Sequence, residues 1–482
     1  MTENAGMISR QTFLRGAVGA FASGAVFGVA RAGADPANSW SGLASSIGGR
    51  ISLPASGTAF STSKQVFNTL YGGSNPIAVV AVSSQDDVVK AVRFAAANNL
   101  KIVPRGGGHS YIGASTATGA MVIDLRGLPG AVNLDSGSGR VTVPAATGLY
   151  SVQQTLASAG RGIPTGSCPT VGTAGLTLGG GLGADSRHAG LACDSLRAAT
   201  LVLPNGDVVN ASADDHSDLF WALRGGGGGN FGVATSMTFD TFPTADTDVV
   251  RVSFPPSAAA KVLVGWQSWL AAADRNTWGL VDLAVGSGVA DCHVLATCPA
   301  GTGATVADAI KSAAGLQANG VETKTLGRLD LVTYLAGGSS TSAPRAFVAG
   351  SDVIGTLNAA SAQAIVAAIG KWPPTAGRAS AIVETLGGAV GDVDPAGSAF
   401  PWRGQAAVVQ WYVETGGGKV STATSWIGAA HQAVQPFSVG GYVNYLESNT
   451  SAARYFNSNL TQLSAVRQKY DPNRVMLSGL DL

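Results

Sequence analysis

Apolar positions along the chain change their period several times, and each change marks an element. Residues 77–82 (IAVVAV) are a short β-branched run that predicts a strand. The next stretch, 85–98, repeats apolar positions at Val88, Val89, Val92, Phe94 and Ala95, a spacing that predicts an amphipathic helix. Asp86 and Asp87 fall in its first turn, where carboxylates meet the positive end of the helix dipole. Further strands are expected at 100–103, 121–125, 140–143 and 201–203, with helices at 148–159 and 218–223. This α+β region runs over about 40–243. From 244 to 435, strands (249–254, 280–285, 293–297, 408–413) alternate with Ala-rich helices (258–273, 305–314, 358–369). That pattern predicts an antiparallel sheet covered by helices on one face. The tail, 436–482, carries polar aromatic residues and an expected helix over 452–470.

Composition narrows the function. Of 482 residues, 45% are hydrophobic and 12% charged, enough to build large cores and too apolar for disorder. Thirty Lys and Arg against 29 Asp and Glu give a net charge of +1. So balanced a surface argues against nucleic-acid partners and a polybasic membrane clamp. At the N-terminus, Arg10 and Arg15 precede the small-residue run 16–30 and the Ala32-Gly33-Ala34 cleavage pattern, so residues 1–34 are expected to be an export signal. Residues 9–15 resemble the twin-arginine motif, with Gln11 where the second arginine belongs. No stretch is long and apolar enough to span a bilayer in the mature chain. Of the four cysteines, Cys193 lies in an apolar stretch, and whether Cys292 and Cys298 pair is left open.

The 66 glycines concentrate the chemistry. Three clusters occur in one region: RGGGHS from Arg105, TLGGGLG from Thr177 and RGGGGGNFG from Arg224. Glycine lets a backbone approach a ligand closely, and consecutive N–H groups form nests for phosphate oxygens. Tight turns account for any one cluster; three together suggest a pyrophosphate and its attached ring system. Residues 227–232 satisfy G-x-G-x-x-G, but they leave a helix and enter a strand, the reverse of a Rossmann fingerprint. Five scattered histidines give no zinc motif.

The segments PRGGGHSYIGAS, PTGSCPTVGTAGLTLGGGLGADSRHAGLACDSL, DLFWALRGGGGGNFG, the Val443-Asn444-Tyr445 stretch and KYDPNRVM resemble the berberine-bridge-enzyme-like oxidases, of the vanillyl-alcohol-oxidase type. The resemblance implies a PCMH-type FAD-binding domain in two parts, 40–243 and 436–482, with a substrate domain inserted at 244–435. It implies bicovalent FAD, with His109 bonding the 8α methyl of the flavin and Cys168 carbon 6. Arg105, Gly106, Gly107, Gly108, Ser110, Gly172, Gly179, Gly180, Gly181, Gly232, Val233 and Asn444 would complete the cofactor set. Val171 matches a gate position where a small side chain admits dioxygen, which implies hydrogen peroxide as product. Leu176 stands where many relatives carry histidine.

On the substrate side, Tyr442-Val443-Asn444 resembles a Y-x-N segment whose tyrosine acts as base. Tyr442 is the first choice and Tyr445 the reserve, with strand alternation expected to turn them to unlike environments. Trp402 in Phe400-Pro401-Trp402-Arg403, with Trp411, Tyr412 and Glu414 on an expected strand, are further substrate candidates. The expected partners are a small alcohol or saccharide and dioxygen. Two rivals stand beside the oxidase: a dehydrogenase of the same fold, and an exported binding protein without redox chemistry.

Overall fold

A computed structural model describes residues 39–286, 289–416 and 418–482, so the expected export signal lies outside the described residues. The first half is built on a four-stranded sheet in the order Arg50–Ser52, Ala78–Ala81, Met121–Asp124, Ile102–Arg105. Its last three strands are parallel and short, and apart from the paired Arg105 and Asp124 at their ends they are apolar, as burial on both faces requires. The amphipathic helix Gln85–Ala97 makes the crossover, capped by Ser84. Asp87 in its first turn accepts the backbone N–H groups of Gly48, Gly49 and Ser83, a role that goes beyond the dipole. A five-stranded antiparallel sheet follows, in the order Asn133–Asp135, Arg140–Pro144, Val233–Asp240, Leu196–Val202, Val208–Ser212.

The second half is an eight-stranded antiparallel sheet: Gly320–Leu326, Thr247–Ser253, Val289–Pro299, Trp278–Gly286, Ala379–Thr385, Ala407–Glu414, Phe347–Ile354, Ser438–Gly440. Alternation divides its residues. Val281, Leu283, Ala381, Val383, Val409 and Trp411 bury against the helices Ala259–Ala272, Ala359–Gly370 and Val420–Val434. Ile382, Glu384, Gln410 and Tyr412, on the opposite face, turn toward the first half. Because the sheet draws its last strand from Ser438–Gly440, the chain returns to the first half a few residues later than 436. There Tyr455, Phe456, Leu463, Val466 and Met476 join the same core as Ile102, Val202 and Phe239. Ile102 N–H donates to Val475 O at 2.9 Å, and Leu477 N–H to Ile102 O at 2.8 Å.

One expectation is corrected and one open question is answered. The helix over 452–470 breaks into Ala453–Phe456 and Leu460–Tyr470, because Asn457 takes a left-handed φ of 43° and ends the first piece. Cys292 and Cys298 are both free thiols. They sit on one strand, Val289–Pro299, where six residues of extended chain separate them by roughly 20 Å, far beyond disulfide reach. Among the described residues no helix is long and apolar enough to cross a membrane.

One contact places the loops that matter. The loop after Ile102–Arg105 meets the loop before the helix Thr173–Leu178 backbone to backbone at Gly107 and Gly172. A Cβ on Gly107 would stand 2.3 Å from Gly172 N and 2.9 Å from Thr170 O, and a Cβ on Gly172 would stand 2.3 Å from Gly107 N. Only backbone is there to yield. Gly107→Ala should therefore lower stability by about 1–3 kcal/mol in urea unfolding, as overpacking does. Gly106→Ala, whose Cβ would find its nearest atom at 3.9 Å, should fall within about 0.5 kcal/mol of wild type.

Candidate active site

A cavity of about 520 Å³ opens at the carboxyl ends of the parallel strands, between the two halves. Crevices at such strand ends are the usual ligand sites of parallel sheets. The Gly107–Gly172 contact brings His109 and Cys168 to its wall, with Gly106, Gly108, Ser110 and Val171 beside them. The His109 ring stacks on Phe67 at 4.0 Å, and its Nε2 lies 3.0 Å from Thr170 Oγ1. Burial disfavours the charged ring and brings its pKa down to about 4, so His109 is neutral at pH 7 and keeps a nucleophilic lone pair. Cys168 is half-buried, its Sγ 3.5 Å from Ser342 Oγ across the cavity mouth.

The cavity floor is the third glycine cluster, Gly227, Gly228, Gly229 and Asn230, with Gly232 behind it. Gly227 and Gly229 have φ of 86° and 78°, so the loop needs glycine for its shape. Cβ atoms on Gly106, Gly175 and Gly228 would meet no atom closer than 3.9 Å and would project into the space instead. This is a cradle kept open for a ligand, and it fits a flat dinucleotide such as FAD in size and in its run of backbone donors. The helix-then-strand order around 227–232 also holds, with Ser217–Leu223 before it and Val233–Asp240 after.

Several expected site residues sit elsewhere. Arg105 is fully buried beneath its loop, donating to Asp124 at 2.9 Å and to Ser63 O. Val233 faces the core, because strand alternation gives the cavity to its neighbours Gly232 and Ala234. Gly179, Gly180 and Gly181 lie outside the lining of this cavity and instead receive side chains of the C-terminal segment. A Cβ on Gly179 would overlap Asn444 Oδ1 at 2.0 Å, and Gly181 N–H donates to the Tyr442 hydroxyl at 2.8 Å. Trp402 is buried, its Nε1 donating to Gly441 O at 2.8 Å. Trp411 points to the helix side of the sheet and donates to Asp352 at 2.8 Å. Glu414 is exposed at the rim, paired with Arg345. Of that strand only Gln410 and Tyr412 face the cavity.

Tyr442, Asn444 and Tyr445 do reach it. They sit on a 3₁₀ turn, Val443–Tyr445, and not on a strand. The turn sets the two tyrosine rings edge to face at 5.0 Å on one wall, where alternation would have parted them. Their hydroxyls differ. Tyr442 oxygen accepts from Gly181 N, Leu182 N and Asn444 Nδ2. Tyr445 O–H donates to Glu384 Oε2 at 3.0 Å, and its ring stacks on Tyr111 at 5.3 Å. Burial pushes the Glu384 carboxyl up to about 7 and both phenols above their usual range. The sequence reading missed Glu384, Tyr111 and Gln410. The faint sign of Glu384 was one carboxylate in the apolar run Ala381-Ile382-Val383-Glu384, on the face opposite Val383. Nothing in the sequence marked Leu477–Leu480 as a wall of the cavity.

Residues 76–212 match a family described as FAD binding domain, and residues 441–476 one described as berberine and berberine like. The chain is 28% identical over 417 residues to the FAD-linked oxidoreductase YgaK of Bacillus subtilis, covering 83% of this chain and 89% of that one. It is 36% identical over 202 residues to the xylooligosaccharide oxidase of Thermothelomyces thermophilus, covering 40% of each. The solved structure of Physcomitrella patens BBE-like 1 superposes with a TM-score of 0.83 at 25% identity, over 91% of this chain and 97% of that one. The two family matches fall on the two stretches that close one cavity, and the fold is the PCMH-type FAD-binding domain with a sheet-rich second domain. The chain therefore carries an FAD-binding region and a berberine-like C-terminal region, and it is similar over most of its length to FAD-linked oxidoreductases of the berberine-bridge-enzyme-like kind.

Proposed function

We propose that this protein is an exported oxidase that holds FAD through His109 and Cys168 and oxidises an alcohol or hemiacetal carbon. The observation that carries the reading is the Tyr445–Glu384 hydrogen bond, set in the same cavity as His109, Cys168 and Val171. Held by His109 and Cys168, FAD would supply acceptance of a hydride from the substrate carbon and transfer of two electrons to dioxygen, giving hydrogen peroxide.

The chain's own work is to take the other proton. Tyr445 receives the substrate hydroxyl proton as it gives its own to Glu384, so no free phenolate is needed. This favours the reserve tyrosine over Tyr442, whose oxygen is occupied by three donors and whose hydroxyl has no carboxylate beside it. Tyr442 and Asn444 hold the turn in place. A neutral His109 and an accessible Cys168 are the forms able to form bonds to an electron-poor ring. The wall of Tyr111, Gln410 and Tyr412 combines ring faces with hydrogen-bonding groups, which suits a saccharide. The xylooligosaccharide oxidase likeness points the same way, over the matched 40% of the chain.

Glu384 must be ionised to accept the proton, so kcat/KM should rise with pH through about 7 and level off above it. Glu384→Gln should lose that limb and about 10²–10⁴ in kcat while keeping its flavin spectrum; an unchanged profile would remove Glu384 from the mechanism. Val171→Leu narrows the expected dioxygen path. It should slow reoxidation of the reduced enzyme by about tenfold, or about 1.4 kcal/mol of barrier, with anaerobic reduction unchanged in stopped flow. Turnover without peroxide would favour the dehydrogenase, and a colourless purified protein the binding protein.

A further inference from the structure

The turn that carries Tyr442, Asn444 and Tyr445 is anchored at both ends to one half-buried cluster of charges built around the buried Asp352. At the leading end, Gly441 N–H donates to Arg454 O at 2.9 Å, and Tyr442 N–H donates to Ser351 Oγ at 2.9 Å. At the trailing end, Glu447 accepts Ser351 N–H at 3.3 Å. Its carboxylate lies over Gly350, where a Cβ would stand 2.5 Å from the carboxyl carbon.

His431, on the helix Val420–Val434, joins the ends. Its Nε2 is 2.6 Å from Glu447 Oε2 and its Nδ1 is 2.6 Å from Asp352 Oδ2. A neutral imidazole would set one lone pair against a carboxylate oxygen, so both nitrogens must donate and the ring is an imidazolium. The charged and titratable groups around it are Asp352 from the strand Phe347–Ile354, Glu447 after the turn, and Arg454 and Tyr455 from the helix Ala453–Phe456. Arg454 Nη2 donates to Asp352 Oδ1 at 2.9 Å and lies 3.2 Å from His431 Nδ1, so it opposes the imidazolium while both carboxylates favour it. Two carboxylates and two cations balance. Removing the His431 proton leaves a net negative charge around an Asp352 side chain that is 1% exposed, which is a costly state.

We infer that His431 is a positioning residue of the active site: as an imidazolium between Asp352 and Glu447, it holds residues 441–447 so that Tyr445 meets Glu384. The inference rests on the Tyr445–Glu384 reading above. No part of this cluster touches the cavity; it acts through the turn. The paired carboxylates, set against burial, hold the His431 pKa up at about 9, above the ordinary value near 6.5. The stabilisation is thus complete below about pH 6.5 and is lost as pH rises through about 9. Turnover gains an alkaline limb from a group remote from the chemistry.

The test combines NMR of imidazole-labelled enzyme, thermal unfolding and kcat, each against pH. One of the five histidines should titrate near pH 9, and its signal should vanish in His431→Gln. In wild type, Tm and kcat should fall together through that pH. His431→Gln should lose about tenfold or more in kcat and show no inflection there. Glu447→Gln, which keeps the size of the side chain, decides the matter if His431→Gln fails to fold. It should lower the His431 midpoint and the alkaline limb together by about one pH unit or more. The proposal is overturned if no histidine titrates above pH 8, or if Glu447→Gln moves the ring titration and leaves the alkaline limb of kcat in place. Glu384→Gln separates the two readings: full turnover in that variant would end the proton-relay reading, while the ring titration and the Tm inflection would stand.

Discussion

Two glycines in contact set the terms for the whole site. Gly107 and Gly172 touch backbone to backbone, and no side chain larger than hydrogen fits at either place. That approach brings the loop ending a parallel strand against the loop opening a helix, and it carries His109 and Cys168 to one cavity wall. The remaining glycine clusters divide the labour. Gly227 to Gly229 shape the floor, whereas Gly179 to Gly181 make room for Asn444 and Tyr442 from the far end of the chain. The C-terminal segment is therefore as much a part of the site as the loops it packs on.

The opposite wall follows from alternation in an antiparallel sheet. One face is sealed by helices and is apolar; the other carries Ile382, Glu384, Gln410 and Tyr412 into the cavity. Placing a carboxylate there is costly, and that cost is its use. Burial brings Glu384 to about 7, where a carboxylate takes and releases protons at neutral pH, and Tyr445 is its single phenol partner in the cavity wall. Behind the wall, the cluster of Asp352, His431, Glu447 and Arg454 gives the turn a rigid base. Chemistry and support thus come from different residues on the same short segment.

Much of the cofactor side was legible in the sequence, because loops that must approach a ligand need glycine, and glycine runs are visible without a fold. The β-branched runs and the helical period at 85–98 were legible for the same reason: each is local. What escaped depends on distant partners. Arg105 stood beside the glycines in sequence and turned to Asp124, a partner that only the strand pairing Ile102–Arg105 with Met121–Asp124 supplies. Trp402, from a resembling segment, and Trp411, from its place on an expected strand, stood as substrate candidates, yet both spend their N–H groups inside the core. Tyr442 and Tyr445 were parted on paper by a strand period and are joined by a 3₁₀ turn. Glu384 gave almost no local signal; its meaning comes from Tyr445, sixty-one positions away.

The central claim is that one cavity wall holds the flavin by two protein atoms, His109 nitrogen and Cys168 sulfur. Intact-mass spectrometry of the acid-denatured polypeptide tests it directly. Wild type, His109→Ala and Cys168→Ser should each carry the added mass of one FAD, and the double variant should not. A bare-chain mass for folded, yellow wild-type protein would contradict the account.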